Sequence, residues 1–535
     1  MSNQEAKTVS DVIIAQLAAW GVEHIFGLPG DTNLRLIEAV RRQDKVKLIR
    51  VRHEEVAALA ASAYAKLTGK IGVCLTIAGP GATNLITGLY DAKMDRAPVL
   101  AITGQVKLPY IGPGSFQEID QDALFEPVSV FNKAINSKEQ TVELVTLALK
   151  HALTGRAVAH LAVPKDTQIQ PLETKVPPLT GHLPDFSIQP SPQAIDQAVR
   201  LIDKSQKSVI IAGWGARGES QALLQLAQKI TAPVATTFRA KGIIPENHPL
   251  SLGVLGDVGT PQARQFVNEA DLLLVFGSSF SDKTNIPTQI PIIQVDIDPI
   301  HIAKIHPITL GLWGDCALVL PQLTAKVVPK RNEARLQDIK LAKQAWYQVQ
   351  EKGGDPEAIP IRPPYIMKVL EQVLPDDAII SLDVGDNAFW FGRNFEITHQ
   401  KLLMSGYLAT MGFGLPGALA AKIVSPDKSA ICLTGDGGFT QVMGDFLTAV
   451  ENDLPITVVI LNNRELAMIT VEQKVEGYPK FATDLTNPNF KDYAESCGGV
   501  GFKVDRPEEL RTALEAALRA KKPAIVDINT DPRRF

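Results

Sequence analysis

Cysteine is scarce. The 535 residues hold four, Cys74, Cys316, Cys432 and Cys497, far apart, with no Cys-x-x-Cys pair and no histidine at zinc spacing. That excludes a disulfide scaffold or a zinc module and leaves small buried side chains in a reducing compartment. An excess of one charge is also missing. Lys plus Arg is 54 and Asp plus Glu is 58, for a formal net charge of −4. Nucleic-acid binding by counterion release needs a basic face, so no nucleic-acid partner is expected. No apolar run approaches the ~20 residues that cross a bilayer. The first residues, Met1-Ser-Asn-Gln-Glu-Ala-Lys7, are polar and carry no secretory pattern, and Asp531 to Phe535 add no amphipathic tail. The expectation is a cytoplasmic protein with no integral membrane association. No repeat of solenoid period is present either.

What is present is an ordinary globular composition, 45% apolar and 21% charged. At ~150 residues per domain the length suggests three to four domains. Short β-branched runs alternate with helical stretches, which argues for α/β architecture with parallel sheets. Strands are expected at Ile71 to Ile77, Val99 to Thr103, Val209 to Ala212, Leu272 to Phe276, Ile292 to Ile297, Ile379 to Ser381, Ala430 to Thr434 and Ile456 to Leu461. Two stretches interrupt the alternation. One is Pro-rich, from Gln170 to Pro192; the other runs from Pro329 across a charged helix, around Lys340 to Glu351, to Pro363-Pro364. Three doubly wound domains follow, over 1–170, 190–328 and 360–535.

The strongest chemical signal is Gly435-Asp436-Gly437-Gly438 directly after the strand Ala430 to Thr434, followed by a helix, a second strand and Asn462-Asn463. A glycine-rich turn at a strand's C-terminal end lets backbone N–H groups approach a phosphate. Asp436 supplies an anionic oxygen and Asn463 a neutral one, and oxygen ligands beside a diphosphate are what Mg²⁺ prefers. Arg52-His53-Glu54-Glu55 opens an Ala-rich run, Ala57 to Ala65, and places acids in the first turn of a helix.

These motifs resemble those of the thiamine-diphosphate-dependent enzymes, in the branch that holds pyruvate oxidase and acetolactate synthase, and the likeness covers nearly the whole chain. The resemblance implies a pyrimidine-binding first domain, a central FAD-type domain and a diphosphate-binding third domain. It implies Asp436, Asn463 and the main-chain carbonyl of Glu465 as protein ligands of Mg²⁺, with Gly435, Gly437 and Gly438 at the diphosphate. Glu54, not Glu55, matches the acid that hydrogen-bonds the aminopyrimidine ring and takes part in proton transfer, an effect of roughly 10²–10⁴-fold for a well-placed general acid–base. Gly79 and Asn84, in Gly79-Pro-Gly-Ala-Thr-Asn84, match the loop against that ring. Met411, in Thr410-Met-Gly-Phe-Gly414, matches the residue that props the cofactor into its bent form. Phe116 and Gln117 match a loop over the reacting carbon, with Gln105 nearby.

In the middle domain, Gly213, Gly215, Thr236, Gly277, Asp296 and Asp315 lie at the ends of expected strands, and the resemblance assigns them, with Arg156 from the first domain, to FAD. There is one departure: Phe280-Ser-Asp-Lys283 stands where the synthases carry Phe-Asp-Asp-Arg. FAD held differently, or absent, therefore stays open. Because the ring and the diphosphate are held by different subunits in this family, a homodimer is the implied minimum and a homotetramer the expected assembly.

The expected substrate is a small 2-oxo acid. Glu472 separates the two branches, since pyruvate oxidases carry Glu there and acetolactate synthases a Trp that shapes the second substrate's site. Met468 nearby is a synthase-like feature, while Glu472 and the aliphatic Ile469 favour the oxidase. The expectation is decarboxylation of pyruvate with electron transfer through FAD. The alternatives are a carboligase of acetolactate-synthase type and a non-catalytic regulatory homologue.

Overall fold

The computed structural model describes residues 7–534. Three six-stranded sheets, all parallel, carry the molecule. The first contains β1 (His24–Gly27), β2 (Lys47–Arg50), β3 (Gly72–Thr76), β4 (Val99–Gln105), β5 (Phe131–Ala134) and β6 (Val158–Pro164), in the order β2-β1-β3-β4-β6-β5. The second contains β7 (Ser208–Ala212), β8 (Val234–Thr236), β9 (Ser251–Val254), β10 (Leu272–Phe276), β11 (Ile292–Asp296) and β12 (Leu310–Trp313), in the order β12-β11-β10-β7-β8-β9. The third contains β13 (Ile379–Leu382), β14 (Lys401–Met404), β15 (Ala430–Gly435), β16 (Thr457–Asn462), β17 (Val500–Val504) and β18 (Ala524–Asn529), in the order β14-β13-β15-β16-β18-β17.

The strands β3, β4, β7, β10, β13 and β16 are buried along their whole length, because helices cover both faces of each sheet. That is why they read as continuous apolar runs rather than as alternating ones. The three α/β domains expected from the strand–helix alternation are therefore present. The first and third sheets share one strand order, and the middle sheet has the mirror-listed Rossmann order, with its reversal between β10 and β7. In such sheets ligands lie beyond the carboxyl ends of the strands where the order reverses. For the third sheet that point is the gap between β13 and β15.

The first and third domains pack through two small-residue helices, Glu54–Thr68 and Gly414–Val424, nearly every residue of which is buried. Alanine is what permits this. A methyl placed on Gly88 of the neighbouring helix Ile86–Met94 would lie 2.5 Å from the Ala58 Cβ, so the backbones already touch. The contact is pinned by Asp445, whose carboxylate accepts hydrogen bonds from the Arg52 and His53 backbone N–H groups at 2.7 and 3.2 Å. A 21-residue helix, Glu333–Gly353, links the middle and third domains. Among the described residues no helix is long and apolar enough to cross a membrane.

Candidate active site

The strand β15 ends in Gly435, and Asp436 begins the short helix Asp436–Val442. The turn is held from below by a residue that the sequence motifs did not single out. Asp383 follows β13 and is 1% exposed. One of its carboxylate oxygens accepts from the Val384 and Gly412 N–H groups at 2.7 and 2.8 Å, and the other from the Thr434 hydroxyl at 2.9 Å. Burial pushes its pKa up to about 6, against the pull of those hydrogen bonds. A Cβ on Gly438 would stand 2.9 Å from the same carboxylate, so this glycine is required by close approach and not by its backbone angles. The signal for Asp383 was available: a carboxylate directly after a strand, in Leu382-Asp-Val-Gly385.

The pocket above this turn has a volume of about 200 Å³. Gly435, Asp436, Gly437 and Gly438 form one wall, Asn463, Glu465, Met468 and Ile469 another, and Met411 a third. Gly437 and Met411 meet closely, since a Cβ on the glycine would lie 3.3 Å from the methionine methyl. Asp436 is 1% exposed, and its Oδ2 accepts from the Asn487 amide at 2.6 Å. Burial raises its pKa above the usual carboxylate value, against the pull of the Asn487 hydrogen bond. The Asn463 Oδ1 accepts from the Glu465 N–H at 3.0 Å, which turns the residue 463–465 corner. The Glu465 carboxylate points elsewhere, to Lys480 at 3.1 Å, so only its carbonyl is left for the pocket.

Among the described residues no cluster of three or more His, Cys, Asp or Glu side chains could by itself hold a metal. The donors here are one carboxylate, one amide and one carbonyl, an incomplete oxygen set that fits Mg²⁺ provided a diphosphate supplies further oxygens.

The second half-site lies in the first domain. Glu54 is the first residue of its helix and is 8% exposed. Its Oε2 accepts from the Asn84 Nδ2 at 2.9 Å. Gly79 has φ +63°, and a Cβ there would meet the Gln117 carbonyl oxygen at 3.0 Å. Glu54, Asn84, Gly79 and Gln117 are thus brought together. Gln105 is nearly buried and donates a long 3.4 Å hydrogen bond to the Ile119 carbonyl. Phe116, in contrast, is 87% exposed. Every described residue lining the diphosphate-side pocket lies between 363 and 530, so the two half-sites do not share a cavity within one chain. Glu472 also stands outside that pocket. It is exposed, one turn beyond Met468 on the same face of the helix Ala467–Val475.

In the middle domain the glycines have a packing reason of their own. The Gly213 N–H donates to the Phe276 carbonyl at 2.8 Å and the Gly215 N–H to the Gly277 carbonyl at 2.9 Å. A Cβ on Gly213 or Gly277 would fall within 2.4 Å of the facing backbone. Their amides are engaged within the fold. Groups suited to a nucleotide nevertheless stand at the strand ends. The Thr236 hydroxyl is buried with no hydrogen-bond partner, and the buried Asp296 carboxylate, raised in pKa by desolvation, accepts only from the Asp298 N–H at 2.9 Å. Both flank the reversal of the Rossmann-order sheet, so the donor set fits a dinucleotide such as FAD. Asp315 instead caps the helix Cys316–Lys326, accepting from the Ala317 N–H at 3.0 Å. Arg156 is exposed, in the left-handed conformation that ends the helix Thr141–Gly155.

Comparison with known proteins follows the same three-part division. The thiamine pyrophosphate enzyme N-terminal TPP binding domain matches residues 7–124, the central domain 195–323 and the C-terminal TPP binding domain 383–528. A Bacillus subtilis protein named as thiamine pyrophosphate-containing, YdaP, is 42% identical over 98% of this chain and 91% of its own. An acetolactate synthase large subunit of Methanococcus aeolicus is 35% identical over 98% of this chain and 92% of its own. Pyruvate oxidase of Lactiplantibacillus plantarum is 30% identical, over 96% and 87%.

Proposed function

Because this chain belongs to the thiamine pyrophosphate enzyme family and is a thiamine-pyrophosphate-dependent enzyme, we propose that it decarboxylates pyruvate or a close 2-oxo acid and passes the electrons on through FAD, as a pyruvate-oxidase-type enzyme. The observation that carries the first half is the gathering of Asp436, Asn463, Glu465 and Met411 around one glycine-rich pocket. Asp436, Asn463 and the Glu465 carbonyl would hold Mg²⁺, and the Gly435–Gly438 turn would hold the diphosphate. Bound thiamine diphosphate supplies the electron sink that lets a 2-oxo acid lose CO₂. The chain's own contribution is position and proton control. Glu54, braced by Asn84 at a nearly dry helix start, would exchange a proton with the ring of the bound cofactor.

The oxidase assignment is supported by Glu472. This carboxylate, on the helix face of Met468 but one turn beyond it, stands where the synthases carry an indole, the kind of wall that a second bulky 2-oxo acid would pack against. FAD, when bound, would supply the two-electron acceptor that release of CO₂ and transfer of the acyl carbon to water or phosphate require, and O₂ would take those electrons from it. The second reading, an acetolactate-synthase-type carboligase, is favoured by Met468 in the pocket wall and by synthases among the similar proteins. A soluble dimer or tetramer completes the proposal. The exposed apolar side chains Tyr110, Ile111 and Phe116 beside one half-site, and Val475, Tyr478 and Phe481 beside the other, are what a subunit interface across the two half-sites would cover. Incubation with pyruvate, thiamine diphosphate, Mg²⁺ and FAD in air should yield CO₂ with acetate or, when phosphate is added, acetyl phosphate. Acetolactate as the main product would replace the oxidase reading by the carboligase.

A further inference from the structure

A cavity of about 290 Å³ lies where the middle domain, the linking helix Glu333–Gly353 and the third domain meet, away from both half-sites. That volume is at the lower edge of small-molecule sites. Its inner wall carries three carboxylates, Glu246, Glu371 and Glu396, and two lysines, Lys241 and Lys343. Each ammonium group makes two hydrogen bonds within the protein. Lys241 donates to the Glu246 Oε2 at 2.6 Å and to the Gly392 carbonyl at 3.3 Å. Lys343 donates to the Glu246 and His248 carbonyls at 2.8 and 3.2 Å. The acceptors are not all used. Glu246 is 4% exposed, its Oε2 also accepts from the Ile397 N–H at 2.8 Å, and its Oε1 has no partner. The Gln262 Oε1, also buried in this wall, has none either.

A buried carboxylate oxygen without a donor is costly. Glu396 takes the Tyr347 hydroxyl at 2.7 Å, and Glu371 takes the Glu396 backbone N–H. Glu371 is pushed up to about 7, chiefly by burial, with the Glu396 N–H and Lys241 opposing and the neighbouring Glu396 and Glu246 adding to it, while the Glu246 and Gln262 Oε1 atoms still lack donors. The remaining charged groups do not supply them: Lys368 and Glu351 stand exposed at the rim, and the Arg393 guanidinium is stacked between Trp346 and Phe389.

We propose that this cavity is a binding site for a small organic ammonium ion, whose N–H groups would donate to the Glu246 Oε1 and the Gln262 Oε1. The site is independent of the catalytic reading. It lies at the far end of the helix Asp386–Asn394, whose first residues Asp386 and Asn387 line the diphosphate pocket.

Saturation-transfer NMR on the full protein loaded with thiamine diphosphate and Mg²⁺ tests it, with n-propylammonium as the probe and tetramethylammonium, which has no N–H, as its control. The expected result is saturable transfer to propylammonium alone, weakened at least tenfold in Glu246→Gln and severalfold in Gln262→Leu. Absence of saturable transfer, equal transfer to both cations, or unchanged affinity in the variants would mean that the cavity holds water only and would overturn the proposal. Should Glu246→Gln not fold, Gln262→Leu, which breaks no ion pair, carries the same comparison.

Discussion

Glu54 is placed by two separate local causes. His53 caps the helix through its ring nitrogen, at 3.3 Å from the Glu55 N–H, and so fixes where the first turn begins. Asn84 then orients the Glu54 carboxylate from the end of the short helix Pro80–Asn84 after β3. A carboxyl held in this way should matter to turnover much more than to stability. Glu54→Gln keeps the volume and the Asn84 contact but loses the exchangeable proton. The expected outcome is a drop in kcat of roughly 10²–10⁴-fold, with cofactor affinity by titration changed little and the thermal midpoint unchanged. Equal losses in kcat and in cofactor binding would make Glu54 a structural residue.

At this scale the sequence was most legible where chemistry demands particular residue types side by side. The Gly435–Gly438 turn, Asn463 and Met411 line one pocket, and the Arg52-His53-Glu54 run opens a buried helix of the first domain. Asn487 and Asp445 were not legible, because each acts through a contact made only on folding. Asp445 serves backbone groups more than 390 positions away.

Among the elements, the turn between β15 and its following helix shows how tightly the pocket floor is built. Asp383 stands under Gly438, holds the Gly412 N–H on the segment carrying Met411, and takes the Thr434 hydroxyl from β15. One carboxylate therefore sets the relative position of the diphosphate turn and the methionine. Gly438→Ala would press a methyl to within 2.9 Å of that carboxylate, and overpacking of this kind costs about 1–3 kcal/mol. Since the turn is freer to shift than the strands beneath it, the expected outcome is a loss of thiamine diphosphate affinity of tenfold or more by fluorescence titration, with a smaller fall in melting temperature. Wild-type affinity would show that the turn does not contact the diphosphate.

The strands themselves were easy to read, because both faces of each sheet are covered and the apolar runs are unbroken. Edge strands such as β2 (burial partial) and β12 (half exposed) lack that run and gave no comparable signal. The shared strand order of the first and third sheets is likewise invisible in sequence, since it depends on which strands become neighbours and not on any repeat of residues.

For the whole molecule the decisive contact is a buried charge cluster where all three domains meet. Lys66, on the first domain's Ala-rich helix, is paired with Asp91 at 2.7 Å and Asp95 at 2.6 Å, and its ammonium also reaches the Met404 carbonyl at 3.1 Å in the third domain. Asp95 takes the Gly406 N–H at 2.8 Å and faces Arg239 of the middle domain at 3.2 Å. Arg239 and Arg217 both lie over the Trp214 ring system, and Arg217 donates to the Lys66 carbonyl. Removing one partner of such a cluster leaves buried charge uncompensated. Lys66→Met is therefore expected to cost about 3–5 kcal/mol, read as a lowered urea midpoint with the three domains unfolding in separate steps. A change below about 1 kcal/mol would mean that the helix packing alone holds the domains together.

The proposed reaction needs two sites on one chain, a pair of thiamine-diphosphate half-sites and a flavin site at the strand ends of the middle sheet. Mixing the protein with thiamine diphosphate, Mg²⁺ and FAD under anaerobic conditions, then adding pyruvate while flavin absorbance is followed, tests it most directly. The account predicts rapid bleaching of the flavin that reverses when air is admitted. A flavin that stays oxidised while CO₂ is released and acetolactate accumulates would contradict it.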